Sequence, residues 1–166
     1  FRHLSCGDFD KLAAHIADAK RVHLIGGRFT EPVARYMAAH LRIVRSNVIP
    51  VIGQEANWRD HLVDMGRKDT LIVFDIRRYQ DSLYRFADAA SGKGVSIILF
   101  TDQWLSPIAR VAKHVVTART AVPSAWDSSA ALFALVEALT ARMTARLGQD
   151  AAARIAELER LRNEMG

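Results

Sequence analysis

Two short segments concentrate groups that could hold an anion. The first, Gly26-Gly27-Arg28-Phe29-Thr30, leaves an apolar run and enters a helical pattern. Glycines let the backbone approach a ligand, and the free N–H groups at a helix start favour negative charge. The second, Asp75-Ile76-Arg77-Arg78-Tyr79-Gln80, also follows an apolar run and sets two guanidiniums side by side. Each charged hydrogen bond from such a fork to phosphate or carboxylate is worth roughly 1.5–3 kcal/mol. The competing use of Arg77 or Arg78 is a structural pair with Asp75, Asp81 or an acid of a second subunit.

Other chemistry finds little support. A dinucleotide fingerprint would need glycine at Arg28 and Glu31, so Glu55, placed where a ribose-binding acid would lie, stands alone. The histidines (3, 15, 23, 40, 61 and 114) are scattered, and no two share metal-ligand spacing with an acid between them. His23 and His114 fall in strands and His40 on an apolar helix stripe, so buried, hydrogen-bonded imidazoles are expected there. Ser128 and Ser129 precede a helix and read as caps rather than nucleophiles. Glu137 reads as solvent-facing or as one half of an interhelical pair. No catalytic acid–base pair, metal site or cofactor is expected. Trp58, Trp104 and Trp126 each follow a strand on the side where a ligand would sit; stacking on a ligand and ordinary packing both fit them.

The elements that must carry these segments are legible from hydropathy. Apolar runs at 21–25, 48–52, 70–74, 95–100 and 114–118 read as strands, three of them continuous, as buried parallel strands are. Pro50 removes a ladder donor and places the second run near a sheet edge. Val33, Tyr36, Met37, His40, Leu41 and Val44 form a helical stripe, with Thr30 as its cap and Pro32 in its first turn. Leu83, Phe86, Ala87 and Ala90 form another, ended by Gly92. Ser106-Pro107 opens a short helix carrying Ile108 and Val111. Leu132, Leu135, Val136, Leu139, Met143 and Leu147 mark a long helix stopping at Gly148. A helix from Asp8 to about Ala19 opens the chain, with Phe9, Leu12, Ala13 and Ile16 inward. A charged amphipathic helix over 150–166 closes it, with Ile155, Leu158, Leu161 and Met165 on one side.

Strands alternating with helices make an α/β, doubly wound, flavodoxin-like fold: five parallel strands in the order 2-1-3-4-5 with helices on both faces. In that order the connections after strands 1 and 3 leave toward opposite faces, and ligands bind in the crevice between those two carboxyl ends. The rule selects the same two segments as the chemistry did.

The 166 residues, half of them hydrophobic, fit one domain (core about 8–147). The net charge of +5 comes from basic residues spread from Arg2 to Arg162 without interleaved aromatics, which argues against direct nucleic-acid binding by this segment. Cys6 is the only cysteine, so disulfides are excluded; a buried or incidental thiol in a cytoplasmic protein is expected. No apolar run approaches the roughly 18 residues of a membrane span. The chain starts at Phe1 without Met or a signal-peptide layout, as a fragment or processed product would.

In this context the two segments resemble those of the sugar isomerase (SIS) domain. That family shows G-x-G-x-S with an Ala four residues on, then S-x-S-G-x-T after the third strand. Gly26, Thr30 and Ala34 match the first pattern, with Arg28 at its second glycine. The stretch T-D-Q-W-L-S-P-I-A (101–109) is similar to the segment after strand four in RpiR-type bacterial transcriptional regulators, and W-D-S-S-A-A-L-F-A-L-V-E-A-L (126–139) to their long helix. The resemblance implies a sensing domain for phosphorylated sugars or related metabolites, preceded by an N-terminal helix-turn-helix domain that binds DNA and is absent here. It also implies association in pairs, for which the closing helix offers an apolar stripe, unless that helix packs back on its own subunit.

The resemblance places ligand contacts at Gly26, Gly27, Arg28, Thr30, Asp75, Arg77, Arg78 and Gln80. The second loop departs from the pattern: Asp75, Arg77, Arg78 and Gln80 stand where the family has Ser, Ser, Gly and Thr. A guanidinium reaches an anion from farther than a hydroxyl does, and Asp75 would repel one. A carboxylate ligand, a phosphate held differently, or loss of small-molecule binding all follow. Two functions stand: a small-anion sensor without membrane association, and a phosphosugar isomerase or related enzyme.

Overall fold

The computed structural model describes residues 6–166; the side chain of Cys6 and the whole of His3 lie outside the described residues. Strands β1 (Val22–Gly26), β2 (Val48–Pro50), β3 (Thr70–Phe74), β4 (Ser96–Asp102) and β5 (His114–Ala118) form one parallel sheet in the order β2-β1-β3-β4-β5. Around it run α1 (Cys6–Asp18), α2 (Glu31–Val44), α3 (Glu55–Asp64), α4 (Asp81–Gly92), α5 (Ala130–Leu147) and α6 (Gln149–Met165), with a 3₁₀ turn at Pro107–Arg110. The expected fold class and strand order are thus those observed. Pro50 sits on the edge strand, where its missing donor is tolerated.

Alternation along the strands builds two cores. Leu24, Ile72, Phe74, Ile98 and Phe100 face α1, α2 and α5; Ile25, Leu71, Val73, Ile97 and Leu99 face α3, α4 and the 3₁₀ turn. Phe74 and Phe100, paired across β3 and β4, stack at 4.8 Å between ring centres. Ser106 starts the 3₁₀ turn by accepting the Ile108 N–H at 3.2 Å. Glu137 takes the interhelical option, accepting the Tyr36 hydroxyl at 2.8 Å.

Several expectations are corrected. Helix α3 carries no sequence signal, because only Trp58 of its ten residues is buried. Thr30 occupies the N-cap position of α2, but its side chain makes no capping bond. His23 is fully buried and neither ring nitrogen finds a partner among the described residues. Nε2 of His114 is likewise unpartnered, whereas Nδ1 of His40 pairs with the Tyr36 carbonyl at 2.9 Å. Helix α6 divides: Ala151 is buried and Ile155 packs against the core, while Leu161 and Met165 are exposed. Among the described residues, no helix is long and apolar enough to cross a membrane.

Candidate functional site

β1 and β3 are neighbours, paired from Val22↔Thr70 to Gly26↔Phe74, so the turns that follow them begin side by side. Helix α2 then packs on one face of the sheet and α4 on the other. The crevice between them is a cavity of about 890 Å³, within the size range of small-molecule sites. Gly26, Gly27, Arg28, Thr30, Asp75, Arg77, Arg78 and Gln80 all line it.

The first turn is fixed by its backbone. A Cβ on Gly26 would lie 2.5 Å from the carbonyl carbon and oxygen of Thr30, so only glycine lets α2 start this close to the sheet. The Thr30 hydroxyl donates to the Phe74 carbonyl at 2.6 Å and accepts the Gly27 N–H at 2.9 Å. Thr30 therefore ties the first turn to β3, and its hydroxyl proton is already used. Arg28 lies over the Phe29 ring at 4.9 Å. Its guanidinium has no acidic partner among the described residues.

The second turn is held by an acid that the sequence reading did not single out. Asp102, fully buried at the end of β4, accepts the Arg77 N–H at 2.6 Å, the Tyr79 hydroxyl at 2.6 Å and the Trp104 N–H at 3.1 Å. Burial and this carboxylate push the Tyr79 hydroxyl well above its ordinary pKa. Arg78 adopts φ +66°, the left-handed region, at the position where the S-x-S-G-x-T pattern has glycine. Its side chain has no partner among the described residues. Arg77 stacks over Trp104 at 5.1 Å and meets Asp127 at 3.5 Å. The expected partners Asp75 and Asp81 are not the ones used: Asp81 pairs with Arg85.

Asp75 is 3% exposed and accepts the Ser106 hydroxyl at 2.5 Å. Burial pushes its carboxyl up to about 6, against the hydrogen bonds from Ser106 and the Gln80 backbone, and the nearby Asp102 adds to the rise. Its repulsion of an anion is correspondingly weaker than a surface aspartate's. The Gln80 side-chain amide donates to Glu55 and to Ser82. Glu55 thus enters the cavity wall as a partner of Gln80, without a nucleotide fingerprint around it.

Two further pieces of wall were not foreseen as such. The segment 53–55 and Trp58 come from the β2–α3 side, and Ala125, Trp126, Asp127 and Ser129 come from the segment between β5 and α5. That second segment lacks periodicity, and of its readings only that of Trp126 pointed toward a ligand; Ser128 and Ser129 read as helix caps. Trp58 and Trp126 line the cavity; Trp104 is not part of the wall. Trp126 meets Phe29 edge-on at 6.3 Å, which links the segment to the first turn. Among the described residues, no cluster of His, Cys, Asp and Glu could hold a metal.

The profile of the SIS domain matches residues 15–142. The chain belongs to the SIS domain family. Among solved structures, it is similar to the sugar isomerase domain of an RpiR transcription factor from Sphaerobacter thermophilus, at 24% identity over 96% of this chain and 89% of that one, with a TM-score of 0.89. Vibrio vulnificus NanR, solved with ManNAc-6P, matches at 13% identity over 99% of this chain and 63% of that one, TM-score 0.84. A Methanococcus jannaschii protein, for which a 3-hexulose-6-phosphate isomerase function has been inferred, matches at 14% identity over 90% of this chain and 82% of that one, TM-score 0.69. At these identities the likeness is one of fold. Among curated proteins, no sequence match reaches significance.

Proposed function

We propose that this SIS domain is the effector half of an RpiR-type transcriptional regulator. It binds a small anionic carbohydrate derivative, a sugar phosphate or a sugar acid, at the β1–β3 crevice. Binding there controls DNA contact by a helix-turn-helix domain that precedes this segment in a cytoplasmic homodimer. The observation that carries the reading is the charge at the crevice: Arg28 and Arg78 line it with no acidic partner among the described residues. Cations left uncompensated in a concave wall are the arrangement an anionic ligand completes. The sugar-phosphate ligand of NanR and the RpiR-type domain among the similar structures fit this reading.

The test is a thermal-shift screen across sugar phosphates and sugar acids. A ligand at 100 times its Kd adds roughly 2.7 kcal/mol, an upward shift of roughly 5–10 °C for a chain of this size. Replacing both Arg77 and Arg78 with Ala should weaken binding of the ligand found by about tenfold or more. An unchanged affinity would return both arginines to a structural role.

One observation favours the second reading, a phosphosugar isomerase. Asp75 lines the cavity with its carboxyl raised to about 6, in the range where a side chain can both take and give a proton near neutrality. Turnover of a sugar phosphate by the wild type, lost in Asp75→Asn, would decide for the enzyme.

A further inference from the structure

The segment between β5 and α5 crosses the same wall as the arginines, and few contacts hold it there. Its backbone is pinned near its ends, where the Ser128 N–H donates to the Thr120 carbonyl at 2.8 Å. Across the cavity mouth it is tethered by the edge contact of Trp126 with Phe29 and by the ion pair of Asp127 with Arg77. Val122 and Trp126 are both exposed, so little apolar burial fastens the segment. Immediately after it begins α5, which packs against α1 and α2.

The Arg77–Asp127 pair has the properties of a contact made to be exchanged. Its separation is 3.5 Å, and the arginine side chain is 49% exposed. A pair this long, with its arginine half in solvent, contributes little to stability. Arg77 is oriented independently of Asp127, by its stack on Trp104 and by its backbone bond to Asp102. Its guanidinium therefore stays at the cavity when Asp127 leaves. A phosphate or carboxylate entering the crevice offers Arg77 a second acceptor and repels the Asp127 carboxylate.

We propose that Asp127 is a built-in competitor for the ligand's anionic group, and that its displacement from Arg77 releases the 121–128 segment and so reports occupancy to α5 and α1. This rests on the reading of the crevice as an anion site. The ligand-sensitive element is then the segment before α5, and α1, nearest the chain's start, is the outlet toward a preceding domain.

Hydrogen exchange on the intact chain, with inorganic phosphate as the probe and ionic strength matched with sodium chloride, tests it. Without phosphate, Asp127→Asn should raise amide exchange over 121–128 by about two- to fivefold, and Arg77→Gln should do the same from the other side of the pair. Phosphate should produce that rise in the wild type and add nothing in Asp127→Asn, which should also bind phosphate about two- to fivefold more tightly. Wild-type exchange rates in phosphate-free Asp127→Asn and Arg77→Gln would overturn the latch whatever the ligand. A phosphate-induced thermal shift with no change over 121–128 would overturn the latch and leave the anion site standing. Absence of any thermal shift, with exchange also unchanged, would overturn both.

Discussion

The two ends of the sheet use arginine in opposite ways. At the amino end, Arg21 precedes β1 and forks onto Asp69, which precedes β3, with bonds of 3.0 and 2.8 Å. Asp69 is buried and also accepts the Gly66 N–H at 2.8 Å. Arg45, at the end of α2, donates to carbonyls at the end of α1, among them Ala19 at 2.7 Å and Ile16. These guanidiniums are consumed by the fold. At the carboxyl end, Arg28 and Arg78 have no acid among the described residues, and half-exposed Arg77 has one, Asp127, at a long 3.5 Å. Arginine at a sheet end does not by itself mark a site; the proposed site rests on two arginines that line the crevice and have no acid among the described residues.

The sharpest way to break this contrast is to remove one acid from each end. Asp69→Asn should destabilise the protein by about 2–3 kcal/mol, because it strips a buried carboxylate from a forked arginine and a backbone donor. Asp127→Asn should change stability by less than about 1 kcal/mol, because the pair is long and its arginine is half in solvent. Urea unfolding of the two variants reads both values, and equal losses would erase the distinction. The directions of ionisation agree with it. Although burial raises the Asp69 carboxyl, the bonds from Arg21 and Gly66 outweigh that and leave it below its ordinary value, so its contribution is lost as pH falls toward the acid range.

Two buried groups sharpen the contrast through pH, and they act in opposite directions. Asp75 holds its proton to about 6 in the folded chain against 3.8 ordinarily, so its contribution to stability is greatest below about pH 4 and declines as pH rises to 6. His23 is pressed by burial down to about 4 from 6.5, with Asp69 pulling the other way and Arg21 and His61 adding to the fall. Its neutral form is the folded one, so stability is lost as pH drops from 6.5 to 4. Each effect is of the order of 3 kcal/mol at most, and together they nearly cancel. The wild type should therefore show a flat stability profile between pH 4 and 6.5. Asp75→Asn should unmask a rise with pH, and His23→Leu a fall. Parallel profiles for all three would mean that neither group titrates as its surroundings dictate.

How far the site could be read from the sequence follows from the same physics. Burial on both faces forces β3 to be apolar throughout, so runs such as T-L-I-V-F were visible, and strand order followed from alternation with helices. The two turns were visible because the switch-point rule names them without any motif. What stayed hidden was whatever lacks a period. Helix α3 buries one side chain, and the 121–128 segment meets the wall on its way from β5, at the far edge of the sheet, to α5, which packs against α2. Partners were hidden too. Nothing local in the sequence says that Asp102 rather than Asp75 anchors the second turn, or that Thr30 spends its hydroxyl on β3. His23 was expected to be hydrogen-bonded on the general rule for buried imidazoles, and the described residues around it supply no acceptor.

The smallest effect separates backbone shape from charge at the second turn. Arg78 holds φ +66° where the family pattern has glycine, so the turn keeps a glycine-shaped backbone under an arginine side chain. A left-handed L-residue bears roughly 1–2 kcal/mol of strain, and glycine's greater freedom in the unfolded chain offsets part of the relief. Arg78→Gly should thus raise stability by about 0.5–1 kcal/mol, while Arg78→Ala, which keeps the strain and loses the charge, should leave stability nearly unchanged. Both variants should weaken anion binding equally if the guanidinium is what the ligand meets. Binding that survives in both variants would show instead that the ligand reads the turn's backbone, and the contrast between the two sheet ends would then rest on Arg28 and Arg77 alone.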